Sequence, residues 1–344
     1  MRFNQFQKEF TVLPIMLAMI TTYLLVISLF IIFSEPVTIT KKNDQLKIPV
    51  GATLWDIAEI LETKEIINNK SYFVLLAKIK FSQKKLRSGY YDISQIKNSN
   101  QLINLLKTGQ NLSTRVTIPE GSTIHDIADL ITQKISIDKT RFLALTTDAG
   151  FIQTTGLDVQ NLEGYLFPDT YFFYKNEQEK SIIIKMVSNF HQKWRRLTQN
   201  IPIKAGKSQH ELLTLASLIE GECILDDERP IVSSLYQNRL RRGIKLEADP
   251  TIQYIIPDGP RRLLTKDLKI DSPYNTYMYK GLPPGPVNNP GEKSILAALR
   301  PADTNFIYMV AQGDGSHYFT RYYNSFLQAK RKLQRIRRKL EETN

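Results

Sequence analysis

The sequence Ile118-Pro119-Glu120-Gly121-Ser122-Thr123-Ile124-His125-Asp126-Ile127-Ala128 repeats an earlier stretch, Ile48-Pro49-Val50-Gly51-Ala52-Thr53-Leu54-Trp55-Asp56-Ile57-Ala58. Seven of the eleven positions are identical. Each copy has the pattern of a short strand that ends at Ile-Pro, a glycine turn, a threonine that can cap a helix, and an amphipathic helix. Two copies are too few for a solenoid, so the repeat predicts small α/β modules in series.

The helix that follows each turn has the same predicted apolar face in the two copies. That face comprises Leu54, Ile57, Ala58 and Leu61 in the first copy, and Ile124, Ile127, Ala128 and Ile131 in the second. Apolar residues at this spacing lie on one side of a helix, so both helices are expected to pack against a core. The stretch from Gly51 to Ala58 resembles the start of LysM-type wall-binding modules. The resemblance implies glycan binding, although a purely structural unit would have the same local pattern.

The region between the two copies completes a first module. Residues 86–93, with Tyr90 and Tyr91 at their centre, have the composition of a further strand. We therefore expect a LysM-like module over residues 44–110. The second copy, residues 118–131, begins a larger region that we expect to extend from residue 111 to residue 325. The sequence predicts an α+β fold, with small α/β modules followed by a larger mixed α/β domain.

Composition and charge exclude some classes of site and leave others open. Cys223 is the single cysteine, so an intrachain disulfide and a Cys-cluster zinc site are excluded, and the four histidines lack H-x-x-x-H spacing. We therefore expect no metal and no cofactor. The net charge of +12 would suit nucleic acid, anionic lipid or an acidic polymer. Basic residues crowd into residues 326–344, a predicted C-terminal helix that is either solvated or an electrostatic contact.

The N-terminus predicts a single membrane anchor. No charged residue occurs between Glu9 and Glu35, and residues 10–33 exceed the roughly twenty residues that a bilayer core of about 30 Å requires. Arg2 and Lys8 precede this run, so the positive-inside rule places residues 1–9 in the cytoplasm. The rest would lie in the periplasm of a bacterium with two membranes. There we expect the inner membrane and the cell wall as partners, and no nucleic acid.

An aromatic segment rich in Pro and Gly lies at residues 162–171, and its sequence is Leu162-Glu163-Gly164-Tyr165-Leu166-Phe167-Pro168-Asp169-Thr170-Tyr171. Pro168 removes a backbone donor and restricts Phe167 to extended geometry, so the segment cannot form a long helix. Two interpretations stay open. The segment is either a loop that stacks its aromatic rings on sugars or a buried structural corner.

Two carboxylates mark the end of an apolar helical run, residues 212–222. Glu220 follows the apolar face, whereas Glu222 lies about 200° further round the predicted helix. A buried carboxyl with a raised pKa can act as the general acid on a glycosidic bond, so Glu220 is the better candidate. A structural Glu paired with Arg229 or Arg239 is the alternative. A hydrolase also needs a second carboxylate, for which Glu222 and Asp249 are candidates.

A longer series of motifs resembles the YceG/MltG family of endolytic murein transglycosylases. The series comprises Leu162-Glu163-Gly164-Tyr165-Leu166-Phe167-Pro168-Asp169, Glu220-x-Glu222, Glu228-Arg229, Asn238-Arg239-Leu240, Ala248-Asp249-Pro250-Thr251, Ser272-Pro273-Tyr274-Asn275, Gly281-Leu282-Pro283-Pro284-Gly285-Pro286 and Asn289-Pro290-Gly291. The resemblance runs from about residue 115 to residue 325, which would make this region the catalytic domain. The order of anchor, LysM-like region and catalytic region also agrees with the family.

The resemblance implies a reaction without water. The C6 hydroxyl of a muramyl sugar attacks its own anomeric carbon, which cleaves the MurNAc-β-1,4-GlcNAc bond of nascent glycan strands and leaves a 1,6-anhydro end. An internal hydroxyl at high effective concentration replaces an enzyme nucleophile. By resemblance Glu220 is then the acid and afterwards the base, and cleavage would set where glycan elongation stops. The family also suggests peptidoglycan synthases as partners.

Six polar and aromatic residues are weaker candidates for contact with the sugar. They are Asn238, Asp249, Thr251, Tyr254, Tyr274 and Asn275. Each could hydrogen-bond hydroxyl or N-acetyl groups, or could instead support the site from behind. Two other functions stay open at this stage. One is a wall-binding protein without catalysis that tethers partners, and the other is a muramidase that uses water.

Overall fold

The computed structural model describes residues 14–28, 37, 45–49, 51–109, 113–174, 177–199, 201, 207–257 and 259–343, with side chains as far as residue 336. The chain forms two compact units, Met1–Thr114 and Arg115–Asn344, called here the N-terminal and C-terminal units. Three two-stranded sheets and a larger number of helices make up the described parts of both. The protein is therefore a mixture of helices and small sheets, as the α+β prediction requires.

The N-terminal unit has four helices and two strands among its described residues. They are helix α1 (residues 14–28), β1 (Gln45–Ile48), α2 (Leu54–Thr63), α3 (Lys70–Ile79), β2 (Gly89–Asp92) and α4 (Ser99–Thr108). Strands β1 and β2 are antiparallel, with Leu46 opposite Tyr91. Both side chains are fully buried beside Ile57 and Leu61 of α2. The strand predicted within residues 86–93 is present as β2.

The predicted membrane anchor falls partly outside the described residues. Residues 14–28 are helical, and apolar side chains such as Leu17 and Tyr23 are exposed along α1. Residues 10–13 and 29–33 of the predicted span are not among the described residues. Within the described parts of the chain, no helix combines the length and the apolar character needed to cross a membrane.

The remaining α-helices and strands lie in the C-terminal unit, apart from the first two residues of β3. They are β3 (Ser113–Thr117), α5 (Ile124–Lys134), α6 (Lys139–Leu145), α7 (Ala149–Thr154), β4 (Thr170–Tyr174), α8 (Glu179–Thr198), α9 (Gln209–Glu222), α10 (Arg229–Arg241), α11 (Asp249–Ile255), α12 (Glu292–Leu299), β5 (Tyr308–Ala311), β6 (His317–Thr320) and α13 (Tyr323–Thr343). Helix α9 is buried along residues 212–219 and packs against α10, α11 and α12. It is therefore the central helix of this unit.

Both copies of the repeat form the predicted strand, turn and helix. Thr53 and Thr123 are the N-caps of α2 and α5, and each forms a capping box with the aspartate three residues later. The turn glycines have φ values of +81° at Gly51 and +77° at Gly121. Side chains rarely tolerate this left-handed backbone, so the shared glycine is a requirement of the turn. The two copies are thus the same local structure used twice.

The aromatic segment at residues 162–171 is a buried corner. Tyr165, Leu166 and Phe167 have almost no exposed surface. Glu163 accepts the backbone N–H of Ile124 at 3.1 Å, and so satisfies a free donor at the start of α5. Asn289 Nδ2 donates to the same carboxylate at 2.9 Å. The corner therefore positions the second copy of the repeat, and these buried rings are not available to stack on a sugar.

The corner predicts a measurable difference between two glycine substitutions. Gly164 has φ +87°, and an added Cβ would lie 2.5 Å from Pro286 Cγ. Gly243 has φ +62° and open space at the same position. Gly243→Ala should cost about 1–2 kcal/mol through backbone strain alone. Gly164→Ala should cost about 1–3 kcal/mol more, because the methyl group also overlaps a packed side chain.

Thermal unfolding of the full chain measures the difference. For a unit of this size, each kcal/mol lowers the midpoint by about 2–4 °C. We expect Gly164→Ala to unfold several degrees below Gly243→Ala. Equal midpoints for the two variants would show that Pro286 moves away from the added methyl group without loss of stability, and that the corner is not tightly packed.

Candidate active site

Glu220 lies in the last turn of α9, at the end of the buried central helix. Only 7% of its side chain is exposed, and 8% of that of Arg229. Glu220 Oε1 accepts a hydrogen bond from Arg229 Nη1 at 3.1 Å, and Oε2 accepts the backbone N–H of Gly291 at 2.9 Å. Arg229 also donates to Asp226 and to Ser294. Both oxygens of Glu220 are therefore held from within the protein.

The ion pair with Arg229 is the contact that the structural interpretation of Glu220 predicts. Arg239, the other partner considered, lies elsewhere, because it donates to Glu247 at 3.1 Å and to the Ile307 carbonyl at 2.6 Å. An oriented carboxylate can serve structure or catalysis, so the pair alone does not assign a role. What distinguishes the site is a second carboxylate that faces the first.

That second carboxylate is Glu120, in the turn of the second repeat copy. Two backbone hydrogen bonds tie this turn to the Asn289-Pro290-Gly291 loop: Gly121 N–H donates to the Asn289 carbonyl, and Asn289 N–H donates to the Ser122 carbonyl, both at 2.9 Å. A Cβ atom on Gly291 would lie only 2.0 Å from Glu120 Oε1. The Glu120 carboxylate therefore occupies the space that a side chain at Gly291 would take.

Glu120 and Glu220 meet at the same glycine from two directions. Glu220 accepts the Gly291 N–H, while the Glu120 carboxylate lies against the Gly291 Cα. A Cβ on Gly121 would lie 3.5 Å from Glu220 Cγ, so the turn itself contacts the acid. Glu120 is only partly buried and is the more exposed of the two, whereas Glu220 is nearly buried. The pair thus has an outer and an inner carboxylate.

The charges around Glu120 act in both directions. Partial burial and the facing charge of Glu220 raise the pKa of Glu120, and Asp226 adds to this effect. Arg229 and Lys293 oppose it. Lys293 is itself paired with Asp226. On balance the pKa of Glu120 is raised, so Glu120 keeps its proton to a higher pH than an isolated glutamate in water does.

Glu222 lies in a different environment from Glu220, as the predicted angle between them requires. It accepts a hydrogen bond from the Tyr236 hydroxyl at 3.1 Å. Burial, followed by the charge of Asp249, raises the pKa of Glu222 to about 7, while the nearby His317 lowers it. His317 is held by Glu228, whose carboxylate bonds both the ring and the backbone N–H at 2.7 and 2.8 Å. His317 is therefore a satisfied strand-end histidine.

Three of the six residues predicted to contact the sugar are buried and form hydrogen bonds within the protein. Asn238 Nδ2 donates to two backbone carbonyls at 2.9 and 3.0 Å. Asn275 Nδ2 does the same at 3.1 and 2.7 Å, and the Thr251 hydroxyl donates to a carbonyl at 2.7 Å. Each of the three residues is nearly inaccessible to solvent. These contacts fit the supporting role that was the alternative.

The other three predicted contacts reach the surface. Asp249 is exposed at the start of α11, where it accepts a hydrogen bond from Tyr277. Tyr254 and Tyr274 are half-buried, with ring centroids 5.1 Å apart and planes tilted by 45°. A pair of partly exposed tyrosines offers apolar faces and hydroxyl groups together. These three residues remain candidates for substrate contact.

Sequence reasoning did not assign a role to Glu120 or to the Gly291 N–H. One signal was available for Glu120. The two repeat copies share the Pro and Gly on either side of this position, yet the first copy has Val50 where the second has Glu120. A charge at a position where the other copy has an apolar residue indicates a use outside the turn. For Gly291 the sequence offered no comparable signal, because the contact depends on residues far apart in the chain.

Comparison with known proteins identifies the family of the chain. The family model described as YceG-like family matches residues 46–332. A protein of Bacillus subtilis (strain 168) named endolytic murein transglycosylase is 33% identical over 314 residues, which cover 87% of each chain. A protein of the same name from Streptococcus pneumoniae serotype 2 (strain D39 / NCTC 7466) is 30% identical over 312 residues, 81% of this chain and 56% of that one.

A solved structure gives the same result. The crystal structure of a YceG-like protein from Listeria monocytogenes matches with a TM-score of 0.57 and 32% sequence identity. The match covers 83% of this chain and 98% of that chain. Together with the family match over most of the sequence, these similarities show that the chain belongs to the YceG-like family.

Proposed function

We propose that the protein is an endolytic lytic transglycosylase of peptidoglycan, with Glu220 as its acid and base. One observation carries the proposal. Glu220 ends a buried helix, is oriented by Arg229 and the Gly291 N–H, and faces a second carboxylate in Glu120. This constellation lies within a chain that is 33% identical to a relative named endolytic murein transglycosylase.

In the proposed reaction the site donates a proton to the oxygen of a MurNAc-β-1,4-GlcNAc bond. The bond between the anomeric carbon and that oxygen breaks, and both electrons leave with the oxygen. The C6 hydroxyl of the same muramyl sugar then bonds to the anomeric carbon, and its proton returns to the site. The product is a 1,6-anhydro end, no water is consumed, and the enzyme supplies no nucleophile.

Hydrolysis of the same bond is the second candidate, and a specific observation favours it. A water-dependent glycosidase needs two carboxylates, and Glu120 supplies one that the sequence had not identified. The chemistry of the new sugar ends distinguishes the candidates. Anhydro ends support the transglycosylase, and reducing ends support a muramidase. Strands that remain uncut would support the alternative of a wall-binding protein without catalysis.

We further propose where the reaction takes place. The uncharged run between Glu9 and Glu35 supports an anchor at residues 10–33, with residues 1–9 in the cytoplasm. The LysM-like region at 44–110 and the catalytic region at 111–325 would then face nascent glycan strands beside the inner membrane, within reach of peptidoglycan synthases. In a bacterium with two membranes, this location is the periplasm.

Glu220→Gln should lower cleavage by at least about 100-fold, because the amide cannot supply the proton. Glu292→Gln is the matched control, since it removes an exposed carboxylate that is paired with Arg196. The full chain is incubated with purified glycan strands, and the new ends are identified by mass. A thermal unfolding curve for each variant verifies the fold. If folded Glu220→Gln cuts as fast as the parent, the assignment is wrong and Glu222 becomes the candidate.

Glu222→Gln should change how stability depends on pH. The folded-state pKa of Glu222 is about 7, above its ordinary value of 4.5. The folded protein therefore binds more protons between these values, so its unfolding free energy falls as pH rises from about 4.5 to about 7. The slope from this group is at most about 1.4 kcal/mol per pH unit. The glutamine variant should lack this contribution.

Denaturant unfolding of the full chain at a series of pH values measures the slope. The control is Asp158→Asn, which removes an exposed carboxylate from the same unit and should keep the slope of the parent. A Glu222→Gln profile parallel to that of the parent would mean that the folded protein does not hold a proton on Glu222 in this range.

A further inference from the structure

We propose that Glu120 is a second carboxyl of the acid/base site, and that it shares one proton with Glu220. The inference rests on the proposed function and deepens it, because it assigns a role to a residue outside the motif that carries Glu220. Glu120 acts through Glu220 and needs no contact with the sugar, so it is a positioning residue for the proton.

The two carboxylates differ in their access to solvent. Both oxygens of Glu220 accept hydrogen bonds from inside the protein, and 7% of the side chain is exposed. Glu120 is the more exposed member of the pair and faces the same glycine. Glu120 can therefore exchange a proton with solvent, and it lies close to the inner carboxylate through their shared neighbour Gly291. An isolated inner carboxylate would have no such partner.

Backbone hydrogen bonds and a glycine hold Glu120 close to Glu220. The backbone bonds that join Gly121 to Asn289, and Asn289 to Ser122, fix the turn against the loop at 2.9 Å. Gly291 leaves the space that the Glu120 carboxylate occupies, since any side chain there would overlap it. The first repeat copy has Val50 in its sequence where the second has Glu120, and its glycine Gly51 has a φ of +81°, close to the +77° of Gly121. A carboxylate at this position is therefore not a requirement of the turn.

Both negative and positive groups surround Glu120. The charged groups that act on Glu120 are Glu220 and Asp226, which are negative, and Arg229 and Lys293, which are positive. Arg229 is already bonded to Glu220 and Asp226, and Lys293 is paired with Asp226. Burial and the negative charge of Glu220 oppose the ionisation of Glu120, so the pKa of Glu120 is raised and Glu120 keeps its proton to a higher pH than a lone carboxyl.

The shared proton fits the proposed reaction without any further reactant. The pair gives its proton to the glycosidic oxygen as the bond to the anomeric carbon breaks. It recovers a proton from the C6 hydroxyl as the new carbon–oxygen bond forms. The site begins and ends the cycle with one proton on two carboxylates, so each turnover restores it.

The test is the pH profile of cleavage for the full chain. Glu120→Gln removes the charge that opposes a second negative charge at the site, so the proton leaves at lower pH. We expect the alkaline limb of the profile to move to lower pH by about one unit or more. Glu120→Asp keeps a carboxyl and should restore the limb toward that of the parent. Glu292→Gln, outside the pair, should leave the profile unchanged.

Other outcomes overturn the inference. A Glu120→Gln profile that overlays the parent would show that the pair shares no proton. An equal loss at every pH in both Glu120 variants, without a shift, would indicate a structural role. If Glu120→Gln is inactive but folded, recovery of cleavage in Glu120→Asp supports the carboxyl and its absence overturns it. If the parent itself forms no anhydro ends, the proposed function fails, which is a separate result.

Discussion

The buried ion pair between Glu220 and Arg229 is the interaction on which the site depends. A buried charge pair is tolerated when further hydrogen bonds satisfy both partners, and removal of one partner leaves an uncompensated charge. Here Arg229 also binds Asp226 and Ser294, and Glu220 also accepts the Gly291 N–H. These contacts join the end of α9 to the beginnings of α10 and α12. The packing of three helices therefore fixes the position of one carboxylate.

The second repeat copy carries the second carboxylate of the candidate site. The turn and capping box of the two copies are the same, since Thr53 with Asp56 and Thr123 with Asp126 form identical capping contacts. Between the shared Pro and Gly of the turn, the second copy has Glu120 where the first copy has Val50. A stable local unit can carry any residue at a position that faces away from its own core. In the second copy, that position faces Glu220.

Much of the local structure could be predicted from the sequence, because its causes are local. The turn glycines, the capping threonines and the apolar face of α5 are all encoded within a few residues of where they act. The surroundings of Glu220 were harder to predict, because Gly291 and Glu120 lie about 70 and 100 residues away from it in the sequence. The type of a residue also does not show whether its side chain points toward solvent or into the protein. Asn238 and Asn275 are suited to bind sugars, yet both point inward to backbone carbonyls. The anchor at 10–33 stays a prediction.

The central claim is that Glu220 cleaves a glycan strand with the substrate's own hydroxyl and without water. The most direct measurement is digestion of purified glycan strands by the full chain in water labelled with heavy oxygen, followed by the mass of each new muramyl end. We predict unlabelled anhydro ends from the parent and no new ends from Glu220→Gln. Reducing ends that carry the label would contradict the claim, because they would show that water had attacked the anomeric carbon.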